Sequence, residues 1–226
     1  MVRSDVVVLI PAFREASTIA QVVEEARQYA DVIVVDDCSP DRTAELAANA
    51  GAVVLKNVTN LGYEGSLNRG LETLRDSGYR TVVTMDADGE HDPACLARFV
   101  KEIDAGAKLI VGIRKEPARF AEHLFCRYVR WRYGVSDVLC GMKAYDLDAL
   151  KGIAFDARDS IGTALVIKMA RRGISASEFA VNGKDRTDEP RFGNRLTANV
   201  KLMKSLIRLI TEDISLWIQR SLQFER

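Results

Sequence analysis

Charge of one sign is missing from this chain, whose 226 residues carry 32 Lys and Arg against 32 Asp and Glu. With no net field, nothing draws the protein as a whole toward nucleic acid, which is not expected as a partner. Long apolar runs are missing too: no stretch approaches the ~18 uncharged residues that a membrane-spanning helix needs. The first apolar run, Val6 to Ile10, is too short for the hydrophobic core of a signal peptide. Cysteine is sparse and scattered. Cys38, Cys95, Cys126 and Cys140 form no C-x-x-C pair, which argues against a zinc site or a disulfide framework. There is no internal repeat and no low-complexity tract. These absences predict a cytoplasmic protein with free thiols, at most peripheral to the inner face of a membrane.

What is present reads as one α/β domain, residues 1–195, with a helical extension at 196–226. Val6 to Ile10 is apolar at every position and ends at Pro11, the pattern of a strand buried on both faces of a parallel sheet. Ser17 is the expected N-cap of a helix with the apolar stripe Ile19, Val22, Val23 and Ala26. Strands at 31–35, 52–56, 81–85 and 108–112 then alternate with helices at 43–50, 65–77 and 94–105, the first of these helices ended by Gly51 as a C-cap. Such alternation predicts a mostly parallel, doubly wound sheet, whose ligands bind beyond the carboxyl ends of the strands. After residue 113 the pattern weakens. It gives a short strand ending near Tyr145, a helix over 159–172, a strand over 174–181, a polar loop to Arg195 and a helix over 196–222 bent near 211–213.

The fourth strand runs into Met85-Asp86-Ala87-Asp88-Gly89-Glu90. Residues i and i+2 of an extended chain project to the same side, so Asp86 and Asp88 aim at one point and Glu90 joins them. Like charges this close repel unless a cation lies among them, and hard oxygen donors suit Mg²⁺ or Mn²⁺. Taken alone, the stretch also reads as a solvated acidic turn.

Five blocks occur in order: Ile10-Pro11-Ala12-Phe13-Arg14-Glu15, Val34-Val35-Asp36-Asp37-Cys38-Ser39-Pro40-Asp41-Arg42-Thr43, Asn60-Leu61-Gly62-Tyr63-Glu64-Gly65, Met85 to Pro93, and Asp137-Val138-Leu139-Cys140-Gly141-Met142-Lys143-Ala144-Tyr145. Together they resemble the family 2 glycosyltransferases of GT-A fold, most of all the dolichol- or polyprenyl-phosphate mannosyltransferase type. The resemblance spans roughly residues 5–195 and implies a Rossmann-like, mostly parallel central sheet flanked by helices. It also implies an inverting, metal-dependent transfer from a nucleotide-sugar donor, a UDP- or GDP-sugar, in cell-envelope glycan biosynthesis.

On that resemblance, Mg²⁺ or Mn²⁺ is held by Asp86, Asp88 and Glu90, with Asp88 foremost, and offsets charge on the leaving diphosphate. Pro11, Ala12, Phe13, Glu15, Val35, Asp37, Asp86 and Ala87 line the donor pocket, Asp37 accepting from the base and Glu15 from the ribose. Helix packing is the other reading of Phe13 and Glu15. Cys38 and Arg42 stand where the family has glycines. For a lipid-phosphate acceptor, Lys143 would position an already anionic nucleophile; for a sugar hydroxyl, Asp137 would be the base. A structural Asp137 capping the turn is the third reading. Arg191, in a late basic loop resembling the family's, would fold over the diphosphate.

In the last helix Leu196, Val200, Met203, Ile207, Ile210, Ile214 and Trp217 form a heptad-like stripe. It is expected to pack on the domain or a second subunit, making a homo-oligomer, or else to meet a membrane surface. Rival functions are transfer to a glycan hydroxyl, sugar nucleotidyl transfer, and non-catalytic nucleotide-sugar binding. The nucleotidyltransferase class carries a Gly-rich basic loop after the first strand, where Pro-Ala-Phe-Arg-Glu stands here.

Overall fold

The computed structural model describes residues 3–114, 120–155, 160–181 and 195–224. The elements run β1 (Arg3–Ala12), α1 (Ile19–Ala26), β2 (Ala30–Asp36), α2 (Thr43–Asn49), β3 (Val53–Lys56), α3 (Gly62–Leu74), β4 (Thr81–Thr84), α4 (Leu96–Asp104), β5 (Leu109–Ile113), α5 (Phe120–Tyr133), β6 (Lys143–Asp146), α6 (Ile161–Arg171), β7 (Ser177–Ala180) and α7 (Arg195–Phe224). The strands form one seven-stranded sheet in the order β3-β2-β1-β4-β6-β5-β7. All neighbours are parallel except β6, which runs antiparallel to both β4 and β5. The mostly parallel sheet expected from the alternating pattern is therefore present.

Strand pleating explains the two core layers. Val6, Val8 and Ile10 face a layer with α1 and α4, while Val7 and Leu9 face a layer with α3, α5, α6 and α7. Every residue from Val6 to Ile10 has no exposed surface, as a two-sided apolar strand requires. Close approach of α3 to β1 depends on Gly70, where a Cβ would overlap the Leu9 side chain.

Three local expectations need correction. α1 begins after Thr18, not Ser17, and without a side-chain cap; the Thr18 hydroxyl instead donates to the Ala87 carbonyl at 2.8 Å. The Arg- and aromatic-rich stretch after residue 114, left without an element in the sequence reading, contains α5. α7 is a single helix of 30 residues, and its buried face carries Leu206, Leu209 and Asp213. Val200, Ile207, Ile214 and Trp217 of the heptad-like stripe are exposed, and the Leu196 side chain lies outside the described residues. Both series have heptad spacing, so periodicity alone does not choose between them.

Asp213 pins α7 to the domain. Its carboxylate accepts from Tyr128 Oη at 2.8 Å, from Tyr133 Oη, and from Arg171 Nη2 at 2.9 Å, joining α7 to α5 and α6. Burial would raise this carboxyl's pKa, but the two tyrosine hydroxyls and the Arg171 charge outweigh it and hold it below the ordinary carboxylate range. The folded value is depressed, so the contribution to stability is full at neutral pH and is lost only as pH falls through that lowered value. Asp213→Ala leaves Arg171 and two hydroxyls without their acceptor and is expected to cost about 2–4 kcal/mol in urea denaturation. Asp213→Asn should cost less, and hydrogen exchange should show α7 losing protection first in the Ala variant.

Candidate functional site

The carboxyl ends of β1, β2 and β4 share one edge of the sheet, and the antiparallel β6 brings its leading residues to the same edge. Beyond β4 burial alternates: Met85 and Ala87 are buried, Asp86 and Asp88 half-exposed. Both carboxylates therefore leave the chain on one side. Asp86 Oδ1 accepts from Tyr63 Oη at 2.9 Å, and Oδ2 lies 3.6 Å from His91 Nδ1. Asp88 Oδ1 accepts from Glu90 N at 3.0 Å across a turn in which Gly89 takes φ +75°. A Cβ at Gly141 would overlap the Asp86 carboxylate, so this glycine is a cradle for it. Burial works against the His91 imidazolium, but a hydrogen bond with Cys140 and the charges of Asp86 and Asp88 raise its pKa to about 9.

Among the described residues no three His, Cys, Asp or Glu side chains gather as a preformed metal site. Glu90 thus does not complete a trio with the two aspartates. Two half-exposed carboxylates on one side still fit a hard divalent cation that takes its remaining ligands from a bound diphosphate and water.

On the other flank, Pro11 and Ala12 finish β1. Arg14 adopts φ 58° and its N donates to Ser39 Oγ at 3.1 Å, while Glu15 N donates to Thr43 Oγ1 at 2.8 Å. The Glu15 carboxylate is buried, 3.3 Å from the Thr18 hydroxyl that also reaches Ala87. Phe13 is half-buried, with the Arg14 guanidinium 5.2 Å from its ring centre. The Val35 side chain is in the core, leaving only its backbone to a ligand.

The two aspartates after β2 divide their work differently from the sequence expectation. Asp37 is 2% exposed and accepts from Asn57 Nδ2 at 2.7 Å, Leu61 N at 2.8 Å and Gly62 N at 2.8 Å. It therefore fixes the loop into α3 and the first amide of that helix. Asp36 accepts from Ser39 N at 3.4 Å through Oδ2, and its buried Oδ1 has no partner. Cys38 stands at φ 60°, which explains the family's glycine there; Arg42, at φ −83°, needs none.

At the far flank Asp137 is held by an arginine that motif reasoning missed. Arg114 donates from Nε (2.8 Å), Nη2 (2.9 Å) and its backbone N (3.0 Å) to the Asp137 carboxylate. Burial would raise Asp137's pKa, yet these bonds outweigh it and lower it. A carboxylate so stabilised as an anion is a weak base. Arg114 ends β5 directly, and its position at a parallel strand's carboxyl end was the available signal.

Lys143 is 4% exposed, and its ammonium donates to the Cys140 carbonyl below the site's floor; burial lowers its pKa. The amine is thus not presented to an acceptor as the sequence expectation required. Glu64, next to Tyr63, accepts from Ile161 N at 2.6 Å and caps α6, and burial raises its pKa. Arg191 lies outside the described residues.

Three comparisons bear on this arrangement. Residues 7–122 match the family described as Glycosyl transferase family 2. An undecaprenyl-phosphate mannosyltransferase of Micrococcus luteus is 30% identical over 188 residues, 74% of this chain and 76% of that one. A polyprenol monophosphomannose synthase of Mycolicibacterium smegmatis is 30% identical over 189 residues, 74% of this chain and 71% of its own length. Among solved structures, glucosyl-3-phosphoglycerate synthase from Mycobacterium tuberculosis in complex with Mg²⁺ and UDP superposes with a TM-score of 0.73 at 19% identity, covering 90% of this chain and 79% of that one.

Gly141→Ala tests the cradle. The added methyl must displace the Asp86 carboxylate, so the variant should stay folded by circular dichroism, at a cost of about 1–3 kcal/mol. Mn²⁺ binding in the presence of UDP, followed by titration calorimetry, should weaken by about tenfold or more.

Proposed function

The chain belongs to glycosyl transferase family 2 and has the GT-A fold, and from that premise we propose that it moves a sugar from a nucleotide-sugar donor to the phosphate of a polyprenyl-type lipid, with inversion. The observation that carries this reading is the pair Asp86 and Asp88, aimed from one side of β4's end into the edge of the sheet. A divalent cation bound there supplies positive charge to the leaving diphosphate. The pyrophosphate lies against Asp86 and Asp88, and the nucleoside lies along Pro11 to Glu15 and Val35 to Asp37. That a protein of the same fold is crystallised with Mg²⁺ and UDP agrees with a cation and a nucleoside diphosphate as ligands.

The acceptor follows from the flank held by Arg114. A hydroxyl nucleophile must lose its proton as it attacks, yet Asp137, the candidate base, is clamped as an anion. A phosphate monoester arrives anionic. Its oxygen attacks the anomeric carbon opposite the leaving group, the bond to the diphosphate oxygen breaks, and no proton moves. The named lipid-phosphate substrates of the two bacterial relatives support the same choice. On that side Arg114 stands in an ion pair with Asp137, with Glu122 3.5 Å away, and Lys143 lies buried.

No helix among the described residues is long and apolar enough to cross a membrane. A lipid acceptor is met at the bilayer surface through the α7 face that exposes Val200, Ile207, Ile214, Trp217 and Ile218 beside Lys201, Lys204 and Arg208. α7 in this reading is both a packed part of the domain and its surface anchor.

Transfer from radiolabelled donors to polyprenyl phosphate, with a free sugar as competing acceptor, tests the reading. Product on the lipid phosphate only, dependent on added Mn²⁺ or Mg²⁺, is expected. Asp88→Asn should cut the rate by about 100-fold or more while the fold persists. Product on the free sugar, or an active Asp88→Asn variant, would refute it.

A further inference from the structure

Between α6 and α7 lies a cavity of about 830 Å³ that the transfer site does not use. Its floor and walls include Phe125, Leu139, Ala164, Ile167, Leu202 and Leu209. We propose that this groove holds the first part of the acceptor lipid's hydrocarbon chain, a proposal that rests on the lipid-phosphate reading above.

Three features select that occupant. The first is continuity with the site. Leu139 directly precedes Cys140 and the Gly141 cradle of Asp86, and Ser160, also on the wall, precedes Ile161, whose amide Glu64 holds beside Tyr63. Through Ile161 and Glu64 the Ser160 end of the groove thus adjoins Tyr63, the residue that holds Asp86. Shape is the second. The α6 wall from Ser160 to Arg171 is about 16 Å long at 1.5 Å per residue, so the groove is elongated and suits an extended chain. At the Arg171 end of that wall the guanidinium donates to Asp213 and Tyr133. Chemistry is the third: the lining is amphipathic, the apolar residues sharing it with Ser160, Thr163 and Ser205 and with three cations, Lys168, Arg171 and Arg208, against one anion, Glu212. An apolar chain entering it leaves water, and its anionic head stays at the Ser160 end.

α7 makes the route physical. Leu202 and Leu209 of this helix line the groove, while Val200, Ile207 and Ile214 on its outer side are exposed. One helix thus borders both the groove and the face offered to the bilayer. A lipid lifted from the membrane meets apolar surface on either side of it.

Farnesyl phosphate and dimethylallyl phosphate share a head and differ only in chain length, and farnesol carries the long chain without the phosphate. On the full protein with UDP and Mn²⁺, farnesyl phosphate should bind about tenfold or more tightly than dimethylallyl phosphate by calorimetry. Ala164→Phe, at a half-buried position on the α6 wall, should erase that margin and weaken farnesol, leaving the thermal shift by the nucleotide sugar unchanged. Ser205→Phe, from the α7 wall, should do the same and guards against a folding defect in the first variant. No chain-length margin in the wild type, or a margin that survives both variants, overturns the proposal. A margin lost in both variants, with no transfer to any lipid phosphate, supports the groove as a hydrocarbon site and overturns the proposed reaction.

Discussion

The missing side chain at Gly141 is the constraint on which the site depends. β6 enters the sheet antiparallel beside β4, with Lys143 paired to Thr84, so the residues leading into β6 run against the chain that leaves β4. Thr84 Oγ1 fixes that approach by donating to the Gly141 carbonyl at 2.8 Å. Any Cβ at residue 141 would take the place of the Asp86 carboxylate. Glycine is needed for space here, not for a left-handed backbone, since Gly141 is absent from the positive-φ glycines.

From Asp86 a short chain of contacts spans the active edge. Tyr63 holds Asp86 from the first turn of α3, and the next residue, Glu64, caps α6. The start of α3 is itself held by Asp37 through Leu61 N and Gly62 N. Asp37 after β2, Asp86 after β4 and the start of α6 are thus tied to one helix end. Each tie is a hydrogen bond to a carboxylate, about twice as strong as a neutral one. Because the ties share α3, loss of the Asp37 anchor would loosen all three together.

Much of this was legible in the sequence, and the exceptions have physical causes. Val6 to Ile10 announced a two-sided strand because burial on both faces permits no polar position. Asp86 and Asp88 announced a shared direction because a strand's period is two. Asp37 reads as a base-binding residue by resemblance; only the fold reveals that its carboxylate also accepts from three donors in residues 57–62. Arg114 stood outside every motif, and its partner lies 23 positions away, a distance that local pattern cannot bridge. In α7 the apolar residues cover more than half the helix, so two heptad series compete. The buried one includes Asp213, a charge that any hydropathy pattern would assign to solvent.

Asp213 and Asp137 together show how the protein treats buried carboxylates. Neither is neutralised by protonation. Each is instead supplied with an arginine and further donors, Arg171 with two tyrosines in one case and Arg114 with its own backbone amide in the other. Removing one partner from such a group is costly, because the charge that remains has lost its solvation as well as its mate. Asp137 is therefore committed to its ion pair before any substrate arrives. An Asp137 committed in this way has little capacity to take a proton from a neutral nucleophile. That commitment, set by Arg114 at the end of β5, links the geometry of the sheet edge to the choice of a phosphate over a hydroxyl acceptor.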